Sequence, residues 1–152
     1  MDLHEELAMQ HLTRSRKVFV VHQYPIEIEG VSGNWSLPDF VALDFERKAV
    51  YVVEVTTAQS PGGLLKKVRD REEQWFAKLR DMLRRGGVVD DAWTKFEVVL
   101  YVRRDVAEKF RAQLGNPKDV TIYAFEEIGL YWDWDWPVFN ARKQADETHN
   151  RL

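Results

Sequence analysis

The sequence predicts an α/β fold in which a central β-sheet is flanked by helices. Residues Ala49 to Thr57 form the most apolar, β-branched stretch of the chain, as expected for a strand covered on both faces. Residues Gly62 to about Arg85 instead repeat apolar side chains at helical spacing. Because strand and helix patterns also alternate in the rest of the chain, we expect one layered α/β domain.

Composition limits the function classes. The 152 residues, 45% of them hydrophobic, are enough for one well-packed domain. No apolar window reaches the roughly 18 residues of a membrane span, and the N-terminus lacks the features of a secretion signal, so we expect a cytoplasmic protein. Without cysteine, any metal must be bound by Asp, Glu, His or backbone oxygen. A net charge of −3 confines any nucleic-acid site to a local basic patch.

The first half of the chain contains one helix pattern and three strand patterns. Apolar side chains between Asp2 and about Ser15 predict a short helix, and the β-branched run from Lys17 to Tyr24 predicts a strand. The residues from Gly30 to Asn34 supply turn chemistry that sends the chain back. A second strand is predicted to begin near Leu37, and the apolar run from Ala49 to Thr57 is the third.

The second half begins with a long helix. Ser60 and Pro61 predict its N-cap and first turn, and the helix from Gly62 to about Arg85 is closed by two glycines. The remaining predicted elements are a strand over Phe96 to Val102, a helix over Val106 to Leu114 and a strand over Val120 to Phe125.

Two short motifs lie on neighbouring strands of this pattern. Pro38-Asp39, an apolar strand and then Glu54-Val55-Thr56 together resemble the motif of the PD-(D/E)XK nuclease superfamily, which includes restriction enzymes and Holliday-junction resolvases. The element order also matches the αβββαβ core of that superfamily, from about residue 4 to about residue 125. The resemblance implies a restriction-endonuclease-like fold with a mixed central sheet. It further implies a DNA nuclease that hydrolyses phosphodiester bonds with Mg²⁺ or Mn²⁺.

Two carboxylates form the core of the predicted metal site. Asp39 begins one strand and Glu54 lies near the end of the next, so the two can meet and chelate a hard cation. By the resemblance, Asp39 and Glu54 would be the metal-binding carboxylates, and the backbone carbonyl of Val55 would be a further ligand. In the alternative interpretation, Asp39 caps the turn after Pro38 and Glu54 pairs with an arginine at the edge of the core.

The first helix is the expected source of another carboxylate, since family members often supply one from there. Helical spacing puts Glu6 beside a face formed by Leu3 and Leu7, whereas Glu5 points away, so Glu6 is the predicted contributor. The alternative for Glu6 is a solvated charge that complements the helix dipole. The histidines have no partner motif, and we interpret His22 as structural.

One position departs from the family motif. Where the family usually has a lysine that orients the attacking water and stabilises charge, this chain has Thr56. Some families of this fold take the cation from the following helix. There Lys67 lies at the border of the apolar face, whereas Lys66 lies on the solvent side. We therefore predict that Lys67 and Thr56 act in catalysis, together with Asp39 and Glu54.

A basic stripe on the same helix is the predicted DNA-binding surface. Side chains at helical spacing over the candidate site suit phosphate contacts, and amides in the loop before the helix are placed to accept a phosphate. An ordinary solvated helix face is the alternative. The residues predicted to bind nucleic acid are Gln59, Ser60, Lys67, Arg71, Gln74 and Lys78.

The sequence divides into a nuclease-like domain over residues 1–130 and a Trp-rich extension with a polar tail over residues 131–152. Read as a strand, the extension presents Trp132, Trp134 and Trp136 on one side. Three indoles predict cover for a core edge or a homodimer contact, and a stacking platform for bases is the alternative. The rival to a nuclease is a catalytically inactive nuclease-fold domain that binds nucleic acid or a protein partner.

Overall fold

The computed structural model describes residues 1–28, 30 and 32–128. In chain order its elements are α1 (Leu3–Leu12), β1 (Val18–His22), β2 (Ile26–Glu27), β3 (Trp35–Ser36), β4 (Phe40–Asp44), β5 (Ala49–Val55), α2 (Leu64–Arg69), a π-helical turn (Glu72–Phe76), α3 (Ala77–Arg85), β6 (Lys95–Val102), α4 (Arg104–Leu114), β7 (Val120–Ala124) and α5 (Phe125–Ile128).

Five of these strands form a mixed sheet with the order β1-β4-β5-β6-β7. The first three strands in this order are antiparallel neighbours, whereas β6 is parallel to β5 and β7 is parallel to β6. The predicted α/β fold with helices around a mixed central sheet is confirmed at this level. Parallel strands need a long crossover, and the helices between β5 and β6 and between β6 and β7 provide it.

The core lies on both faces of this sheet. On one face, Val50 and Val52 of β5 pack in a cluster with Val68 of α2 and Leu79 of α3. On the opposite face, Tyr51 and Val53 cluster with residues of α1 and α5. Since successive strand residues point to opposite faces, β5 is buried on both sides, as its apolar composition predicts.

Helix α1 buries a different stripe from the one predicted. The side chain of Asp2 accepts the backbone N–H of Glu5, and the side chain of Glu5 accepts the backbone N–H of Asp2, which completes a capping box. Ala8 and Leu12 are buried, while Leu3 is 75% exposed. The predicted face is therefore right for Leu7, which packs against this core, and wrong for Leu3, because tertiary packing selects the side of the helix that carries Ala8 and Leu12.

The long helix begins later than predicted and is not regular. Gly63 precedes α2 with a φ of +75°, a left-handed conformation that a helix cannot contain, so Ser60 and Pro61 lie in the preceding loop. Ser60 is exposed and is not the N-cap. Between α2 and α3 the π-helical turn places Trp75 in the core, where its Nε1 donates to Oγ of Ser36 at 3.0 Å.

A small hairpin lies between β1 and β4 in the sequence and forms a separate two-stranded sheet. Ile26 and Glu27 pair with Ser36 and Trp35, and the predicted turn residues lie between the two strands. Because these residues pair with each other, the second strand of the main sheet begins at Phe40 rather than near Leu37.

No helix in the described part of the chain is long and apolar enough to cross a bilayer. The predicted boundary at residue 130 and the predicted contact through Trp132, Trp134 and Trp136 lie outside the described residues.

Candidate functional site

Asp39 and Glu54 meet at one end of the sheet. The antiparallel register places Phe40 opposite Val53, so the next pair outward is Asp39 and Glu54. Side chains of directly opposed residues lie on the same face of a sheet. The two carboxyl groups lie close enough to influence each other's pKa, and Oδ2 of Asp39 accepts the backbone N–H of Val55 at 2.7 Å.

Burial raises the pKa of both carboxyl groups in this pair. It raises the pKa of Glu54 to about 8, and the negative charge of Asp39 adds to the rise. Burial also raises the pKa of Asp39, although hydrogen bonds from Val55 and Glu54 oppose this effect. With a pKa of about 8, Glu54 keeps its proton at neutral pH, and this is a proton that a bound cation could replace.

Val55 and Thr56 continue β5 beyond Glu54. The N–H of Val55 is used by Asp39, which leaves its carbonyl as the group predicted to bind a metal. The N–H of Thr56 donates to the carbonyl of Tyr101 in β6 at 3.0 Å. Its Oγ1 accepts the N–H of Ala58 at 3.2 Å, so the Thr56 hydroxyl shapes the turn that leaves the strand.

The structure separates the two lysines of α2. Lys67 lies close enough to Glu54 for its positive charge to oppose the rise in the pKa of that carboxyl. Lys66 instead pairs with Asp70 one helical turn further along, with 81% of its side chain exposed. Lys67 is therefore the lysine of this pair that borders the carboxyl groups, as the helical spacing predicts.

The carboxylate that α1 brings to the site is Glu5, not the predicted Glu6. Glu5 shares a helix face with buried Ala8 and Leu12, whereas Glu6 is exposed. The charge of Glu5 raises the pKa of Asp39, and the two side chains are within hydrogen-bonding reach. The Asp-x-x-Glu spacing at the helix start is the sequence signal for Glu5, because a capping box holds that side chain at the N-terminus.

His22 borders the same group of acids and was also missed by the sequence prediction. It ends β1 opposite Phe40, the residue that follows Asp39. Its Nε2 lies 3.9 Å from Oε1 of Glu5 and has no hydrogen-bond partner, although the atom is buried. No local pattern identifies this histidine, since the contact depends on how α1 packs against the sheet.

The predicted basic stripe does not form one phosphate-binding surface. Arg71 makes a bidentate ion pair with Asp119, at 2.5 and 2.9 Å. Lys78 pairs with Glu27 of the hairpin at 3.4 Å. Arg71 and Lys78 therefore face different elements, and both are held by carboxylates. Gln74 is half-buried between them along the helix.

Gln59 and Ser60 are exposed in the loop between β5 and α2, one to two residues before Pro61. Together with Phe110 and Lys109 of α4 they line a groove of about 220 Å³. The helix that follows this loop has only six residues, and its N-cap glycine makes no side-chain cap bond. This loop thus places its polar side chains in a groove against α4.

The groups at the end of the sheet form a row, which we call the carboxylate row. It runs across the ends of β1, β4 and β5 and comprises His22, Glu5, Asp39, Glu54 and Lys67. Three potential anions lie between two potential cations. Within residues 1–28, 30 and 32–128, however, no group of three or more His, Asp or Glu side chains is arranged to hold a metal ion.

Comparison with known proteins adds no further assignment. No family model, curated protein or solved structure matches the chain.

Proposed function

We propose that this protein is a Mg²⁺-dependent nuclease of the PD-(D/E)XK type that hydrolyses phosphodiester bonds in DNA. The observation that carries this proposal is the half-buried pair of Asp39 and Glu54 at the open end of two antiparallel strands, where burial raises the pKa of both carboxyl groups. A pair of this kind gains stability from a cation that replaces the proton.

The topology supports the same proposal. A helix precedes three antiparallel strands of the sheet, and a helical segment then leads to β6, which is parallel to β5. With the small hairpin set aside, this is the αβββαβ order of a restriction-endonuclease-like core. The carboxyl pair lies on the second and third of those strands, as the family motif requires.

The donor atoms fit a hard divalent cation. Carboxylate and carbonyl oxygens are the ligands that Mg²⁺ prefers, and this ion commonly keeps several waters. Two carboxylates and the carbonyl of Val55 therefore suffice without a third acidic ligand. Mn²⁺ accepts the same oxygen ligands and is the useful probe.

The residues of the site have different proposed roles in hydrolysis. A bound Mg²⁺ would lower the pKa of a coordinated water and neutralise charge at the scissile phosphate. Asp39 and Glu54 hold their oxygens in place, since the N–H of Val55 fixes Asp39 and burial restricts Glu54. Lys67 lies beside Glu54 and is placed to stabilise the negative charge that develops on the phosphate. Thr56 can donate one hydrogen bond but supplies no charge.

The test is metal-dependent cleavage of single-stranded, duplex and branched DNA. With Mg²⁺ or Mn²⁺, the wild-type protein should cut at least one of these substrates, and Asp39→Ala and Glu54→Ala should abolish cutting. Glu6→Ala is the matched control, because Glu6 is an exposed carboxylate on a neighbouring element. Activity that survives in both site variants would rule out this site as the source of cleavage.

One set of observations favours a second candidate, a nuclease-fold domain that binds DNA or a protein without cutting. Thr56 replaces the motif lysine, and Arg71 and Lys78 are occupied by ion pairs. Metal-dependent DNA binding without cleavage, under conditions that detect one turnover, would support this candidate over the nuclease.

A further inference from the structure

His22 has the one buried side-chain nitrogen or oxygen, among the described residues, without a hydrogen-bond partner. An unpaired buried donor or acceptor costs about 1 to 3 kcal/mol, so such atoms are rare and call for an explanation. Oε1 of Glu5 lies 3.9 Å from Nε2. This distance is about 1 Å longer than a hydrogen bond.

The two carboxylate oxygens of Glu5 have different neighbours: Oε2 accepts a helix-capping hydrogen bond, and Oε1 lies near His22. Its Oε2 accepts the backbone N–H of Asp2 at 2.8 Å as part of the capping box. Its Oε1 faces His22, and the charge of the carboxylate acts on Asp39. A small rotation of the carboxylate would therefore satisfy the histidine without breaking the helix cap.

We propose that His22 is a positioning residue, whose Nε2–H donates to Oε1 of Glu5 and holds that carboxylate beside Asp39, so that its negative charge strengthens the cation site. This inference rests on the proposed function, because it assigns His22 a role at the same site. His22 acts through Glu5 and touches neither the cation nor the DNA. The strand pairing of His22 with Phe40, and the 5.4 Å between their ring centroids, fix the imidazole on the face of the sheet that α1 covers.

The size of the effect follows from comparable sites. Residues that orient a metal-binding carboxylate or histidine commonly contribute 10- to 100-fold to metal affinity. Glu5 lies further from the cation than Asp39 and Glu54. We therefore expect loss of the His22 contact to weaken Mn²⁺ binding about tenfold, whereas Asp39→Asn abolishes it.

The test compares four variants by calorimetric Mn²⁺ titration without DNA. His22→Phe keeps the ring contact with Phe40 but removes the donor, whereas His22→Gln keeps a donor at a similar distance from the backbone. We expect His22→Phe to weaken binding about tenfold and His22→Gln to remain near wild type. Glu5→Gln should weaken binding to a similar extent, and the double variant His22→Phe/Glu5→Gln should be no weaker than Glu5→Gln alone. Thermal melting of each variant verifies that it is folded.

A second measurement does not depend on metal. The ¹⁵N resonances of the His22 ring should report a proton on Nε2, and Glu5→Gln should shift the Nε2 resonance. Glu6→Gln is the matched control and should leave it unchanged, since Glu6 is exposed.

The outcomes separate this inference from the proposed function. Wild-type affinity in His22→Phe, or equal weakening in His22→Phe and His22→Gln with Glu5→Gln unaffected, would overturn the positioning role while leaving the nuclease intact. Absence of Mn²⁺ binding in the wild type would reject the proposed function and the inference with it.

Discussion

Oδ2 of Asp39 accepts the backbone N–H of Val55 at 2.7 Å, which ties the start of β4 to the end of β5. This bond uses the side chain of one predicted ligand and the backbone of another. Asp39 is thereby held next to Glu54, and the Val55 amide is satisfied beyond the last residue pair of β4 and β5, Phe40 and Val53. The geometry of the carboxyl pair is thus built into the sheet before any cation binds.

We expect Asp39 and Glu54 to bind one divalent cation together. Titration calorimetry should detect Mg²⁺ or Mn²⁺ binding to the wild type, and alanine at either position should abolish it because each residue alone is a weak ligand. A rise in melting temperature with metal concentration should disappear in the same variants. Unchanged binding in both would eliminate the site.

Lys67 should matter for catalysis and Lys66 should not. If the protein cleaves DNA, Lys67→Ala should lower turnover by roughly 100-fold or more, the scale for loss of one electrostatic stabiliser. Lys66→Ala should remain near wild type, since Lys66 is exposed and pairs with Asp70. Equal effects in single-turnover assays would contradict the assignment of Lys67 to the site.

Stability without divalent metal should fall as the pH rises. The pKa of Glu54 is raised from 4.5 to about 8, so the folded protein binds more protons than the unfolded chain between these values. The free energy of unfolding therefore decreases through this range, by at most about 1.4 kcal/mol per pH unit, and the loss is complete above the folded pKa.

The titration of His11 restricts the pH range in which the effect of Glu54 on stability can be measured separately. Burial and the charge of Arg14 lower the pKa of His11 from 6.5 to about 4, so stability falls as the pH drops from 6.5 towards 4. At acidic pH this loss of stability opposes the gain that Glu54 provides. Between pH 6.5 and about 8, Glu54 is the one of these two groups that changes the stability. Urea unfolding across this interval should show a decline that Glu54→Gln removes. An equal decline in that variant would assign it to another group.

Arg71 should contribute to stability rather than to DNA binding. Its bidentate pair with Asp119 is partly buried, so Arg71→Ala should lower the free energy of unfolding by about 1 to 2 kcal/mol. Arg69→Ala is the matched control, because Arg69 is an exposed arginine at the end of α2, two residues before Arg71. DNA affinity that falls in Arg71→Ala but not in Arg69→Ala, without loss of stability, would restore the predicted phosphate contact.

The homodimer prediction depends on the Trp-rich extension. Enzymes that cut both strands of a duplex commonly act as symmetric pairs, and one-sided indoles suit an isologous contact. Replacing Trp134 and Trp136 with serine should convert a dimer into a folded monomer, as measured by sedimentation and thermal melting. A monomeric wild type that loses stability on substitution would place the indoles in its own core.

The strand pair that carries the site could be predicted because its signals are local. The Pro38-Asp39 turn and the apolar run of β5 fix where each strand lies, and a short connection makes them antiparallel neighbours. Strand register then brings Asp39 opposite Glu54 without further information. The site residues on these two strands follow from the sequence alone.

The contributions of α1 and β1 could not be predicted in the same way. Helix α1 has no single strongly apolar face, so its orientation is decided by packing against β5 and not by its own pattern. Helical spacing about Leu3 and Leu7 therefore predicts Glu6 at the site and Glu5 pointing away from it. The partner of Arg71 lies 48 residues away in sequence, which no helical spacing can reveal.

The π-helical turn between α2 and α3 has a consequence for tolerance to insertion and deletion. An α-helix rotates by about 100° per residue, so a wide turn changes the rotational phase of everything that follows it. The direction in which α2 presents Lys67 and the direction in which α3 presents Leu79 are therefore not related by regular helical spacing. Five π-helical residues rotate about as far as four α-helical ones, so a one-residue deletion within Glu72–Phe76 would restore regular winding and leave Leu79 facing the core. Any alignment of this chain with a distant homologue should accordingly allow a single-residue gap at this turn.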